Sequence, residues 1–265
     1  KGKIFNVRGE SMKRINENKE LIDIKKILGL ETGKSYSSIN QLRYGKVIFM
    51  TDQDLDGSHI KGLCINLIAY LWPSLLKLNE FIGFMNTPIL KATKLKQVIN
   101  FYNNGEYEQW KEDNNDGKGF KIKYYKGLGT STSKEFKEYF KEKKIVSFKL
   151  ENQDEQAIDG VFNKTKADER KLWLQQYDRN KYLDTNHEEI SYSQFINDEL
   201  IHFSKYDCDR SIPNMIDGLK VSQRKILYSA FKKKLYSEIK VAQFSGYVSE
   251  QSGYHHGEAS LNGAI

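Results

Sequence analysis

The stretch Lys46-Val-Ile-Phe-Met-Thr-Asp-Gln-Asp-Leu-Asp-Gly57 decides the fold of this sequence. Its first half is a short apolar run, and such runs are typical of strands buried inside a parallel sheet. Three carboxylates separated by single residues, Asp52, Asp54 and Asp56, follow the strand at once. If the extended conformation persists, alternate side chains point to the same side, and we expect the three carboxylates to converge.

Periodic segments on both sides of this stretch predict helices and further strands. An apolar stripe indicates a helix over residues 10–29. The nearly uncharged run over residues 59–76 predicts a buried helix, because a proline and flanking charges interrupt it as a membrane span. Strands are expected over residues 81–85 and 120–125, and Thr132-Ser-Lys-Glu135 is a capping box that starts another helix. This order of strands and helices predicts an α/β fold.

The second half of the chain changes character. Residues 103–119, rich in Asn, Asp and Gly, predict an exposed turn within an inserted hairpin near residues 95–122. Residues 151–189 are acidic and predict a connector that contains a helix over 167–177. Separate amphipathic helices are expected over residues 193–204 and 221–234. We therefore expect a domain boundary near residue 190.

Composition and charge limit the classes of function. The 265 residues carry a net charge of +7 with 38% hydrophobic residues, which excludes a mini-protein and a disordered basic tail. Two cysteines, Cys64 and Cys208, form neither a disulfide framework nor a zinc site and fit a reducing compartment. Residues 1–50, 121–150 and 205–240 carry net charges of +6, +6 and +5. Such blocks suit surfaces that face a polyanion, although ion pairs on solvated helices also produce them.

The acidic stretch is the sharpest chemical feature. Converging carboxylates repel one another, and a hard cation such as Mg²⁺ relieves the repulsion. A calcium-binding EF-hand loop also begins Asp-x-Asp-x-Asp-Gly, but its twelfth position requires Glu, and here that position is Leu63. An acidic surface turn without metal remains the alternative.

Three further motifs suggest contacts with phosphate. The loop Lys126-Gly-Leu-Gly-Thr130 has the composition of an anion site, and equally that of a tight turn. Gln223-Arg-Lys225 starts a predicted helix whose exposed face can lie along phosphates. His255 and His256 are adjacent, and adjacent side chains usually point apart, which argues against zinc. They could position a phosphate, donate a proton or form structural hydrogen bonds.

Together these motifs resemble eukaryotic-type DNA topoisomerase II from end to end. The segments that carry the resemblance are Asn6-Val-Arg8, Leu42-Arg-Tyr-Gly45, Thr51–Gly62, Tyr124–Ser131, Arg210-Ser-Ile-Pro213, Asp217-Gly-Leu-Lys220 and Tyr254-His-His-Gly-Glu258. One departure is Val221-Ser222, where the family usually carries Pro-Gly. The resemblance implies a TOPRIM domain at residues 1–165, with a parallel sheet flanked by helices, and an acidic connector at 166–192. It places the first part of a mainly helical winged-helix domain at 193–265.

The resemblance also implies site residues. Asp52 and Asp54 correspond to Mg²⁺ ligands, with Asp56 in support, in a two-metal site completed by a Glu upstream of Lys1. The implied DNA contacts are Lys3, Asn6, Lys126, Arg170, Lys171, Arg210, Lys220, Arg224 and Lys225, with His255 and His256 near the scissile phosphate. The family's nucleophilic Tyr is expected beyond Ile265, so no catalytic residue is assigned. We expect this chain alone to bind DNA without cleaving it.

The implied activity is that of a type IIA topoisomerase: a nuclear, homodimeric enzyme that breaks both strands of double-stranded DNA, passes a second duplex and reseals the break. ATP is implied only for the intact enzyme, and no membrane association is expected. One alternative is another TOPRIM protein, a Mg²⁺-dependent nuclease or primase, which shares the acidic motif but lacks the Arg-Ser-Ile-Pro and His-His-Gly-Glu segments. The other is a DNA-binding module without enzymatic activity.

Overall fold

The computed structural model describes residues 3–125 and 127–265, and the chain divides into two compact units, Lys1–Phe203 and Ser204–Ile265. The strands, all in the first unit, are β1 (Val47–Phe49), β2 (Ile82–Met85), β3 (Leu90–Lys94), β4 (Gln97–Phe101), β5 (Lys121–Tyr124), β6 (Ile145–Lys149) and β7 (Glu189–Ser191). Its helices are α1 (Met12–Glu17), α2 (Lys19–Leu28), α3 (Leu55–Leu71), α4 (Asn104–Asp113), α5 (Ser133–Glu142), α6 (Asp154–Phe162), α7 (Ala167–Gln175) and α8 (Tyr192–Phe195). A π-helical turn, Ile196–Leu200, then leads into α9 (Ile201–Ser211).

The main sheet has the strand order β1-β2-β6-β7. β1 is parallel to β2 and β6 is parallel to β7, whereas β2 and β6 are antiparallel. Helix α3 is buried along most of its length and packs against α6 and the π-helical turn. The expected α/β fold is confirmed, with a mixed sheet in place of a wholly parallel one.

The helix predicted over residues 10–29 is two helices. The side chain of Asn18 accepts a hydrogen bond from the Leu21 N–H at 3.0 Å and caps α2. Asn18 itself is extended, so the chain bends between α1 and α2. Asn is a favoured capping residue, and this local hydrogen bond replaces one turn of continuous helix.

A second, smaller sheet carries the inserted segment. Its strand order is β4-β3-β5, and all pairs are antiparallel. The prediction of an exposed turn over residues 103–119 is wrong for α4, where Asn103 caps a helix by accepting the Glu106 N–H at 2.8 Å. Tyr107 and Trp110 on α4 pack on Phe101, with ring centroids 5.3 and 5.2 Å away, and this packing offsets the unfavourable composition.

Residues 151–203 are integrated into the first unit. β7 pairs with β6, and the ring of Tyr192 stacks on Phe148 with centroids 4.7 Å apart. Asp154, which is fully buried, accepts the Ser193 N–H at 2.8 Å. The spatial units therefore divide between Phe203 and Ser204, while the division into family domains stays a prediction.

The second unit consists of helices in the part that the structure describes. After α9 come α10 (Val221–Lys233), α11 (Val241–Ser252) and α12 (Glu258–Asn262). Its small core is formed by Phe244, Val248 and Leu261. Among the residues described, no helix has the length and apolar character needed to cross a membrane.

Candidate functional site

The acidic residues lie where β1 gives way to α3. Asp54 is extended and caps α3, and its Oδ1 accepts the Gly57 N–H at 2.7 Å. The extended conformation ends there, so Asp56 lies in the first turn of the helix. Its Oδ1 forms an ion pair with Lys3 Nζ at 2.6 Å. Asp52 and Asp54 thus remain as exposed carboxylates, while Asp56 is tied to a lysine.

Gly57 allows the helix to start close behind the strand. A Cβ atom at this position would lie 1.8 Å from the carbonyl oxygen of Asp52 and 2.9 Å from its carbonyl carbon. No side chain fits in that space, because real Cβ contacts stay beyond 3.0 Å. The glycine therefore serves a close approach of two backbone segments.

Asp52 contacts the glycine-rich loop that the sequence marks as an anion site. Its Oδ1 accepts the Leu128 N–H at 2.6 Å, across a separation of 76 residues. Gly127 has φ +148°, and a Cβ there would lie 3.0 Å from the Asp52 carboxyl atoms. The loop thus binds a carboxylate of the chain itself, and two motifs distant in sequence form one site. Lys126, predicted to contact DNA, lies outside the described residues.

The donors at this site suit a hard cation. Within residues 3–125 and 127–265, one oxygen of Asp52 and one of Asp54 accept backbone N–H groups, and the other oxygen of each has no hydrogen-bond partner. The hydroxyl of Thr51 is buried and unpartnered over the same ranges. No group of three or more His, Cys, Asp or Glu side chains is assembled for a metal in the described part of the chain. The site offers two carboxylates of the type that Mg²⁺ prefers.

The predicted DNA-contact residues of the first unit differ in availability. Asn6 donates to the Phe162 carbonyl at 2.7 Å and accepts from Asn66 at 2.9 Å, so its amide is committed to the fold. Arg170 donates to the carbonyls of Gly160 and Asn163 near the end of α6. Lys171 is on the surface, paired with Asp168 at 2.8 Å. Lys171 and Lys3 are exposed cations, whereas Asn6 and Arg170 stabilise the unit itself.

The second unit places most of its predicted contacts around the start of α10. Arg224 binds Asp217 through two hydrogen-bonding nitrogens at 2.7 and 3.0 Å. The Leu219 N–H and the Arg224 guanidinium together hold the pKa of Asp217 below its ordinary value. Lys220 immediately precedes α10, and Lys225 lies in its second turn and is half-buried.

Arg210 lies apart from this group in sequence, on α9. Its guanidinium bonds Asp207 at 3.0 Å and lies 4.9 Å from the ring centre of Tyr206. A carboxylate and an aromatic face both hold an arginine in a fixed plane, the orientation needed to bind a phosphate with two hydrogen bonds.

The two histidines form a stacked pair. They lie between α11 and α12, outside regular structure, and their ring centroids are 4.4 Å apart, so the expectation that they point apart is wrong. His256 Nε2 is 3.1 Å from the Tyr206 hydroxyl, whereas His255 is exposed. His256 therefore has a structural hydrogen bond, and His255 is the one open to a ligand.

The sequence analysis missed two polar clusters. Glu135 accepts from Lys123, Thr132 and Tyr125, and these hydrogen bonds outweigh burial and lower its pKa to about 2. The other is a buried pair, Lys61 with Glu199. A single lysine inside the otherwise uncharged first turns of α3 was the available signal, because a buried lysine requires a partner.

A mixed α/β sheet that presents two carboxylates beside a glycine-rich loop, joined to a basic helical unit, defines the TOPRIM class of fold. Two family models match this chain: the C-terminal associated domain of TOPRIM at residues 85–208, and DNA gyrase/topoisomerase IV at residues 210–265.

Similar proteins extend the match over the whole chain. DNA topoisomerase 2 of Plasmodium falciparum is 51% identical over 270 residues, covering 100% of this chain and 19% of the relative. DNA topoisomerase 2 of Arabidopsis thaliana is 52% identical over 272 residues, covering 100% and 18%. The crystal structure of the Plasmodium falciparum topoisomerase II DNA-binding, cleavage and re-ligation domain superposes with a TM-score of 0.86 at 49% identity, covering 99% of this chain and 36% of that one. The chain belongs to the eukaryotic DNA topoisomerase II family, and it spans less than a fifth of these two relatives' length.

Proposed function

We propose that this chain forms part of the DNA-binding and cleavage core of an ATP-dependent type II DNA topoisomerase. The observation that carries the proposal is the hydrogen bond between Asp52 and the Leu128 N–H, because it joins an acidic turn to a glycine-rich loop at one edge of an α/β sheet. The 49% identity to a solved DNA-binding, cleavage and re-ligation domain supports the same function.

Asp52 and Asp54 fit the role of Mg²⁺ ligands. Each has one oxygen fixed by a backbone N–H, which orients the carboxylate before a metal binds. Asp56 supports the site indirectly through its ion pair with Lys3. The family resemblance adds a Glu, upstream of Lys1, that completes a two-metal site. When bound, Mg²⁺ stabilises charge on the reacting phosphate and on the leaving oxygen.

The chain's own residues bind and orient the duplex. Lys220, Arg224 and Lys225, around the start of α10, suit contacts with the phosphate backbone, which position DNA without reading its sequence. Arg210 is held in plane by Asp207 and Tyr206. His255 is exposed and can donate a hydrogen bond to a phosphate oxygen, while the Tyr206 hydroxyl holds His256 beside it.

The intact enzyme would relax and decatenate double-stranded DNA. In the family's reaction, a Tyr from each half of a homodimer attacks a phosphodiester and conserves the bond energy in a covalent link to the 5′ phosphate, so resealing needs no new energy source. ATP, a nuclear location and the dimer belong to the same proposal for the whole protein. The alternative of a nuclease or primase is not favoured, because similarity to topoisomerases extends through the second unit.

The test replaces both proposed ligands in the full-length enzyme. Asp52→Ala with Asp54→Ala should lower Mg²⁺-dependent cleavage of supercoiled plasmid by at least about 100-fold, since even outer-shell residues of metal sites contribute 10- to 100-fold. DNA binding, measured by fluorescence anisotropy, should be retained. The matched control is Glu112→Ala with Asp113→Ala, which removes two exposed carboxylates from α4. Unchanged cleavage in the first variant rejects the metal assignment.

A further inference from the structure

The first turns of α3 contain a buried ion pair that the proposed reaction does not explain. Lys61 is 2% exposed, and its ammonium group contacts Glu199 Oε1. The same ammonium lies 4.4 Å from the ring centre of Phe84 and 5.6 Å from that of Phe195, so it is surrounded by aromatic rings. Removing a lysine and a glutamate from water costs several kcal/mol for each ion, and apolar residues in their place are often as stable. Stability alone is therefore a weak reason for this pair.

The pair is tied to the turn that carries the carboxylates. Glu199 Oε1 also accepts a hydrogen bond from the Ser58 hydroxyl at 2.6 Å. Ser58 and Lys61 are three residues apart, on one face of α3. The Ser58 N–H bonds the Asp54 carbonyl at 3.1 Å, which is the first hydrogen bond of the helix. One carboxylate oxygen of Glu199 thus fixes the helical turn that starts at Asp54.

A second contact four residues after Glu199 restrains the same turn. The ring of Phe203 stacks on His59 at 4.0 Å with an interplanar angle of 16°. Lys3, which pairs with Asp56, lies 5.0 Å from the ring centre of Phe203. Glu199 and Phe203 therefore contact α3 from one side, at the spacing of one helical turn.

The backbone around Glu199 is also unusual. Residues Ile196–Leu200 form a π-helical turn between α8 and α9. Such turns are rare and occur frequently at functional sites, since the extra residue changes which side chains face a neighbouring element. Here the turn contains the one carboxylate that both Ser58 and Lys61 contact.

We propose that Glu199 is a positioning residue for the metal site: through Ser58 and Lys61 it holds the start of α3 so that the Asp54 carboxylate keeps its orientation. The inference rests on the proposed function, in which Asp52 and Asp54 bind Mg²⁺. Loss of the Glu199 contact leaves Asp54 in place in the sequence but frees the turn that orients it. Outer-shell substitutions of this kind lower metal affinity by about 10- to 100-fold.

The test separates orientation from stability. In the full-length enzyme, Glu199→Gln should raise the Mg²⁺ concentration for half-maximal DNA cleavage about tenfold, at the lower end of outer-shell effects. Mn²⁺ binding, followed by electron paramagnetic resonance without DNA, should weaken by a similar factor. The double variant Lys61→Met with Glu199→Leu removes both charges and should recover the melting temperature while the weak metal binding persists. Recovery of both properties overturns the proposal, because the pair is then only structural.

Two controls make the outcome specific. Asp154→Asn changes another fully buried carboxylate, one that binds backbone N–H groups away from α3, and should lower the melting temperature without changing the metal titration. Asp52→Asn with Asp54→Asn reports on the proposed function itself. If this variant binds Mn²⁺ normally, the metal assignment fails; if it loses binding while Glu199→Gln binds normally, only the positioning role fails.

Discussion

Replacing Gly57 by alanine tests the close approach of α3 to the strand end. A Cβ at this position would lie 1.8 Å from the Asp52 carbonyl oxygen, so the two backbone segments must separate by more than about 1 Å to reach the 3.0 Å limit of real contacts. Overpacking costs about 1–3 kcal/mol, and backbone on both sides places this case near the upper value. Alanine recovers up to about 1 kcal/mol of helix propensity. We expect a net loss of about 2 kcal/mol.

The assay is thermal unfolding of the chain followed by circular dichroism. For a unit of about 200 residues, a loss of about 2 kcal/mol corresponds to a melting temperature lower by about 4–8 °C. The separation also moves Asp52 away from the Leu128 N–H, so any stabilisation by added Mg²⁺ should decrease in the same variant.

Gly246→Ala is the matched control for this substitution. Gly246 is also helical, within α11, and a Cβ there meets no atom within 4 Å. Alanine should therefore raise stability by about 0.5–1 kcal/mol through helix propensity alone. If Gly57→Ala melts at or above the wild-type temperature while the control behaves as expected, the close approach of α3 to Asp52 is refuted.

Two further predictions concern charge. The pKa of Glu135 is lowered from 4.5 to about 2, so its contribution of up to about 3 kcal/mol is complete above pH 4.5 and is lost as pH falls towards 2; Glu135→Gln should flatten the unfolding free energy measured over this range, and an unchanged slope contradicts the assignment. Asp217→Asn releases Arg224 and should tighten DNA binding about threefold at low salt, whereas Glu31→Gln, which breaks the exposed pair with Lys34, should have a smaller effect in the same anisotropy titration; equal effects would show that only net charge matters.

Local chemistry explains which elements could be predicted from the sequence. The strand over residues 46–50 and the capping box at Thr132 depend on neighbouring residues, and the structure confirms both. Helix α4 was missed because its Asn and Gly residues disfavour helix in isolation, while the packing of Trp110 on Phe101 depends on strands that the local pattern does not show. Local propensity thus fails where tertiary contacts decide.

The candidate site divides in the same way. Asp52 and Asp54 were identified because alternating carboxylates after a strand form a local pattern. Their outcome as metal ligands stays a prediction, whereas the partner of Asp52, the Leu128 N–H, lies 76 residues away and could not be derived from spacing. The pairing of Lys61 with Glu199 crosses 138 residues. Sequence alone showed only that a lysine in an apolar helix needs an acceptor, without indicating which one.

Carboxylates within the chain occupy several of the cations expected to contact DNA. Lys3 pairs with Asp56, Lys171 with Asp168, Arg210 with Asp207 and Arg224 with Asp217. In the proposed complex each phosphate replaces a carboxylate, so the gain per contact is the difference between two ion pairs and not the whole of one. Binding should therefore depend on salt less steeply than the number of basic side chains suggests, because a cation already paired with a carboxylate contributes less to counterion release. The net charge of +7 consequently describes the exchange poorly: what matters is which carboxylate each cation must leave.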